Sequence, residues 1–167
     1  MTIYVDDGTI GGPGEQEVGS ELDTILEKFP GRRIKPQVVS GENGSGPWCA
    51  WDVLGSDVYY RRSTKEVKFS MSSFIRKLAI KYHLEDSKET MSPYFEESAL
   101  YQPNSPSSDF PVRECVGSLM WVASERPDVQ VAAQILARAV NSPHTRSVAN
   151  CCKKVVRYLW TTREKGI

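Results

Sequence analysis

The chain reads as an α+β protein, in which a hairpin-bearing first part precedes a helical bundle. Two observations carry that reading. Before Ser70 most apolar residues sit in short runs of strand length, interrupted by one helical stripe; beyond it they recur every three or four positions. The chain has 167 residues, 40% of them hydrophobic, with four Trp, which suits one domain, or one compact domain with an appended subdomain. The expected organisation is a first region over residues 1–84, a Pro-rich linker over 85–111 and a helical region over 112–167.

The first element is the stretch Thr2-Ile3-Tyr4-Val5-Asp6-Asp7-Gly8-Thr9-Ile10. Apolar residues flank two adjacent carboxylates and a glycine, which predicts a tight β-hairpin. Ile3 and Val5 would share one face of its first strand, with Tyr4 on the other. Asp7-Gly8 suits a two-residue turn that needs positive φ. Carboxylates held on so short a support can bind a divalent metal, since Mg²⁺ prefers hard oxygen ligands. The same residues equally serve a turn and nothing more.

Gly11-Gly12-Pro13-Gly14 then breaks the strand. Val18, Leu22, Ile25, Leu26 and Phe29 trace one helical stripe over residues 15–29, expected to pack on the sheet beneath the hairpin. Pro30-Gly31 ends it. Arg32, Arg33 and Lys35 form a small basic cluster, and residues 41–47 read as an exposed loop. Residues 48–60 read as a strand and 67–70 as its partner, with a turn over 61–66. Gly55 within that strand permits a close backbone approach or a bulge.

Ser72 or Ser73 would cap a helix to about Tyr82, with Phe74, Ile75, Leu78, Ala79 and Tyr82 inward and Arg76, Lys77 and Lys81 outward. The prolines at 93, 103, 106 and 111 mark residues 85–111 as a linker or a segment laid over the surface. Three helices follow, over residues 112–124, 129–141 and about 145–161. Their inward residues would be Val116, Leu119, Met120 and Ala123, then Ala132, Ile135, Leu136 and Ala139, then Val148, Cys152, Val155 and Leu159. Gly117 and Ser118 are small enough for close helix approach. Arg126-Pro127-Asp128 reads as a structural corner, because Pro fits a first helical turn and Asp suits a helix N-terminus.

Several of these segments together carry a resemblance. Tyr4-Val5-Asp6-Asp7, Val116-Gly117-Ser118-Leu119, Arg126-Pro127-Asp128 and Val156-Arg157-Tyr158-Leu159 occur in that order, with Phe69-Ser70-Met71 before the first of the later helices. This series resembles the C-terminal half of Copia-type retrotransposon reverse transcriptases over nearly the whole chain, apart from residues 30–50. The resemblance implies a partial palm bearing the Tyr-x-Asp-Asp hairpin, a primer-grip hairpin at Leu54-Gly55, and a thumb-like helical region. It makes Asp6 and Asp7 catalytic ligands of Mg²⁺ or Mn²⁺, and places Tyr4, Val5 and Gly55 against an RNA/DNA template-primer duplex. The family's third carboxylate lies upstream of this hairpin, and here only Met1, Thr2 and Ile3 precede Tyr4. The expectation is therefore a fragment of an RNA-directed DNA polymerase, inactive and weakly metal-binding alone. The alternative is a non-catalytic subunit that binds nucleic acid or a larger protein assembly.

The formal charge is zero but unevenly spread. Residues 1–60 carry four Lys/Arg and ten Asp/Glu (4 − 10 = −6), residues 61–128 ten of each, and residues 129–167 seven against one (7 − 1 = +6). An acidic end and a basic end suit a metal site beside a polyanion-binding surface. Arg146, Lys153, Lys154 and Arg157 recur at helical spacing, so most of them would share one solvated flank suited to phosphates. Cys49, Cys115, Cys151 and Cys152 lack metal-ligand spacing and read as reduced thiols of an intracellular protein. No apolar run is long enough to insert in a membrane.

Overall fold

The computed structural model describes residues 2–4, 7–40, 46–102, 107–142 and 145–166, with backbone only for residues 2–4, 7–9 and 145. The chain is α+β. It forms two compact units, one of Met1–Leu54 with Tyr59–Glu66, the other of Gly55–Val58 with Val67–Ile167.

The hairpin strands are β1 (Thr2–Tyr4) and β2 (Asp7–Thr9), antiparallel in the register Thr2↔Thr9, Ile3↔Gly8, Tyr4↔Asp7. The chain therefore reverses between Tyr4 and Asp7. This corrects the expected turn at Asp7-Gly8: local Asp-Gly chemistry favours a turn, but here cross-strand pairing takes both residues into the ladder. Helix α1 (Glu15–Lys28) begins after Gly14, with Glu15 and Glu17 in its first turn and Lys28 in its last, each sign matching the helix dipole. Its stripe does not sink into a sheet as expected. Val18, Leu22, Ile25 and Leu26 are half-buried, and Phe29, just beyond the helix, is 69% exposed.

A second sheet has the strand order β3-β4-β5-β6, with β3 at Gln37–Val39, β4 at Trp48–Val53, β5 at Ser56–Arg61 and β6 at Glu66–Ser70. Strand β3, which lies between the basic cluster and the expected loop where no strand is expected from sequence, pairs antiparallel with β4 through Val38↔Cys49. The expected single strand over residues 48–60 is two strands. Leu54 (φ 54°) and Gly55 (φ 84°) form the whole turn between them, the double positive-φ combination of a type I′ hairpin. Gly55 is thus a turn residue. A Cβ there would meet the Trp121 indole nitrogen at 3.7 Å, an ordinary contact, so the left-handed backbone rather than crowding selects glycine. The turn expected over 61–66 is present, with Lys65 also left-handed.

The second unit holds the core. Helix α2 (Ser72–Lys81) buries Ile75, Leu78 and Ala79. Its cap is neither Ser72 nor Ser73. Met71 occupies the N-cap position, while the Ser73 N–H donates to Asp57 Oδ2 at 2.8 Å and the Ser72 N–H to Ser70 Oγ at 3.2 Å. A carboxylate from a distant strand does what a local hydroxyl was expected to do. Helices α3 (Val112–Ala123), α4 (Gln130–Ala139) and α5 (Thr145–Thr161) match the expected spans closely, with a 3₁₀ turn (Pro127–Val129) leading into α4. Leu119, Val122, Val129, Leu136, Val148, Val155, Val156 and Leu159 are fully buried, and α5 packs against α2, α3 and α4.

Two expectations fail here. Met120 is 42% exposed rather than inward. Among the described residues nothing lies within 4 Å of a Cβ added at Gly117, so that glycine serves no close helix approach among them. Of the two readings of the Pro-rich segment, its described residues fit the one laid over the bundle: Phe95 and Leu100 enter the core, Leu100 at the end of a 3₁₀ turn (Glu97–Leu100), and Thr90 N–H donates to Thr161 Oγ1 at 3.0 Å. Apolar residues placed between prolines anchor a non-helical run onto the bundle.

Candidate functional site

Three places bear on function: the acidic hairpin, the Arg126 corner and the basic side of α5. At the hairpin, the register sets Tyr4 opposite Asp7, so the motif spans both strands. Val5 and Asp6 lie outside the described residues, as do the side chains of Tyr4 and Asp7. Among the described residues, no group of three or more His, Cys, Asp or Glu side chains could hold a metal ion.

The corner is the best-defined polar constellation in the helical unit. Arg126 is only 4% exposed. Its guanidinium donates in fork fashion to Asp128, Nε to Oδ1 at 2.9 Å and Nη2 to Oδ2 at 2.7 Å. The remaining donors reach the residue just past α5, Nη1 to the Thr162 carbonyl at 3.2 Å and Nη2 to Thr162 Oγ1 at 2.8 Å. Tyr158 closes the network by donating to Asp128 Oδ2 at 2.6 Å. Burial alone would raise the Asp128 pKa; the hydrogen bonds from Arg126 and Tyr158 and the Arg126 charge outweigh it, leaving the carboxyl below its ordinary value. Burial likewise works against Arg126, and pairing with Asp128 overcomes it, so its pKa is raised. Burial, then the bond to Asp128, raises the Tyr158 hydroxyl. The group is a charge-satisfied clamp between the α3–α4 corner and the end of α5, in keeping with the structural reading of Arg126-Pro127-Asp128. The part played by Tyr158 and Thr162 was not visible in sequence, because the partners lie 30 and 36 residues away.

On α5 the expected solvated flank is only partly solvent-facing. Arg146 is exposed; Lys153, Lys154 and Arg157 are half-buried. Lys153 Nζ sits 5.0 Å from the centre of the Phe110 ring, and Lys154 lines a groove against the segment after Phe95. The Arg157 Nε is buried without a hydrogen-bond partner. The helical spacing aligned the cations correctly, but Phe110 and the segment over residues 95–102 cover part of their flank. Arg146, Lys153 and Arg157 lie along one side of the helix, with uncharged Asn150 between the first two.

The first unit holds a further cluster that the motifs did not announce. The Arg61 guanidinium lies 4.1 Å from the Trp48 ring centre and its Nη1 donates to Glu66 at 3.0 Å, while Tyr59 meets Trp48 edge-on at 6.5 Å. Only the strand pairing brings these residues together; alternation of side chains on β4 and β5 was the available signal.

No helix among the described residues is long and apolar enough to cross a membrane. No family model matches the chain. No solved structure matches it.

Proposed function

We propose that the chain is part of a Copia-type retrotransposon reverse transcriptase, an RNA-directed DNA polymerase, contributing its Asp-Asp hairpin and a helical unit that holds the template-primer duplex. In this reading the first region is a partial palm and the helical unit a thumb. The observation that carries it is the meeting of two quoted motifs. Arg126 and Asp128 from one, and Tyr158 from the other, share a single buried network. Segments so joined are parts of one folded unit, which gives their ordered resemblance more weight than separate short matches have.

Asp6 and Asp7 would hold Mg²⁺ or Mn²⁺, which when bound supplies charge neutralisation for nucleotidyl transfer. Arg146, Lys153 and Arg157 would contact duplex phosphates without reading sequence, while Tyr4, Val5 and Gly55 would lie near the primer end. The working compartment would be intracellular, where the four thiols stay reduced.

Primer extension tests the catalytic part. The chain alone should extend nothing, and mixing it with a polypeptide carrying an upstream palm carboxylate should give Mg²⁺-dependent extension lost in Asp6→Asn. No extension from the mixture would leave the second reading, a non-catalytic nucleic-acid- or protein-binding subunit. That reading has its own support, since the helical unit has a complete core of its own. Anisotropy with an RNA–DNA hybrid addresses both: Lys153→Gln with Arg157→Gln should weaken binding and flatten its salt dependence by about one unit of slope per lost phosphate contact.

A further inference from the structure

Where α5 ends, Arg163 lies over the ring of Trp160, its guanidinium carbon 4.2 Å from the ring centre, and its Nη1 donates to the Trp160 carbonyl at 2.8 Å. The two contacts hold a planar cation on an aromatic support. The Arg163 side chain is 30% exposed and Trp160 is half-buried, so the pair is reached from solvent.

Trp160 follows Arg157 by three residues and Lys153 by seven, so the pair continues the side of α5 that carries Arg146, Lys153 and Arg157. Those three cations span about 16 Å of helix. Lys153 repeats the association with an aromatic ring, its Nζ 5.0 Å from the centre of Phe110. Cations in single file suit one sugar–phosphate backbone, and planar groups interleaved with them suit bases. Glu164 does not cancel this end, because it is shared by Arg76 at 2.5 Å and Arg163 at 3.5 Å, two cations to one carboxylate. Stacking on a guanidinium plane also needs no unpaired charge.

We propose that this side of α5 binds a single strand of nucleic acid, with phosphates on Arg146, Lys153 and Arg157 and an unpaired base stacked on Arg163 above Trp160. The inference rests on the reading of those three cations as phosphate contacts, and goes beyond it by naming an unpaired strand as the ligand. A base inside a duplex is stacked on its neighbours and reaches such a plane only by leaving them, which costs unstacking and unpairing energy. An unpaired base has a free π-face, which aromatic rings and guanidinium planes accept whatever the sequence.

The test is fluorescence anisotropy with the full chain and three fluorescein-labelled probes of equal length: a mixed-sequence single strand, the same backbone without bases, and a blunt RNA–DNA hybrid. The base-bearing strand should bind about fivefold or more tightly than either of the others. Making that strand once as DNA and once as RNA shows which sugar is preferred. Arg163→Lys keeps the charge and removes the plane, so it should erase the advantage of the base-bearing strand over the base-free one. Trp160→Leu, which removes the support, should do the same, and Lys153→Gln with Arg157→Gln should weaken all three probes. Far-ultraviolet circular dichroism melts matching wild type establish that each variant is folded; Arg163→Lys, at the surface, carries the test if Trp160→Leu does not fold. Equal binding of base-bearing and base-free strands overturns the proposal and leaves the phosphate contacts standing. So does a hybrid bound as tightly as the single strand, or a preference unchanged in folded Arg163→Lys. Binding of none of the probes overturns the phosphate contacts as well.

Discussion

The two units of this chain are built to different standards of burial. In the helical unit, apolar side chains from four helices and a proline-rich segment close around one another, and Ile75, Leu119, Val122, Leu136, Val155 and Leu159 are sealed from solvent. In the other, α1 buries none of its side chains fully, and Phe29, Ile34, Val38 and Val39 are largely exposed. Their secondary structure is equally regular. The difference teaches that a good amphipathic pattern forms a helix without securing it, because most helical stability comes from tertiary packing of the apolar face.

The comparison is sharpest under large-to-small substitution. Leu159→Ala or Leu119→Ala should cost about 2–5 kcal/mol, since each leaves a cavity in a closed core. Leu22→Ala, on the half-buried stripe, should cost well under half of that. Urea midpoints of the three variants check the ordering; comparable losses at Leu22 and Leu159 would erase the distinction between the units.

Next in size is the clamp. Asp128 keeps about a third of its side chain in solvent and its bond from Tyr158, so Arg126→Met strands it only in part and should destabilise by about 1–3 kcal/mol. Its pH signature has a definite sign. The Asp128 carboxyl is depressed in the folded state, so its contribution is present above the unfolded carboxylate value of about 3.9 and is lost as pH falls through the folded value below it. Stability measured by denaturant titration between pH 5 and pH 2 should therefore fall less steeply in Asp128→Asn than in wild type.

Smaller effects belong to the ends of elements. Asp57→Ala should cost about 1 kcal/mol by uncapping α2, and Asp57→Asn, which keeps an oxygen acceptor, should cost less. At the type I′ turn the sign reverses. Leu54 occupies a left-handed conformation that costs a residue with a Cβ about 1–2 kcal/mol, so Leu54→Gly should stabilise modestly or be neutral, whereas Gly55→Ala should destabilise. Thermal melts resolve both.

Much of this architecture was legible in sequence, and the failures share a cause. The helices α1 to α5 follow from 3.6-residue periodicity, which is a local property, and their spans match the expected ones closely. What was misread depends on partners remote in sequence. Asp57 caps a helix that starts fifteen residues later, Tyr158 and Thr162 complete a corner built from Arg126 and Asp128, and Phe110 and residues 95–102 lie against Lys153 and Lys154, which spacing alone placed in water. Turn chemistry misled in a different way: Asp7-Gly8 carries the signal of a turn and sits in a ladder, while Leu54-Gly55, with a leucine in its first position, makes the turn. Of the candidate site, the line of Arg146, Lys153 and Arg157 was readable, and the Trp48–Arg61 stack was not.

The placement of the thiols makes the chain its own probe of opening. Burial raises Cys151, and contact with Cys115 followed by burial raises Cys152 still further, so neither offers thiolate to a reagent while the helices stay closed. Cys49, on β4 in the other unit, is only half-covered. Exposure to a thiol-specific label should then give one fast modification followed by slow ones, and the lag between them measures how rarely the helical core breathes.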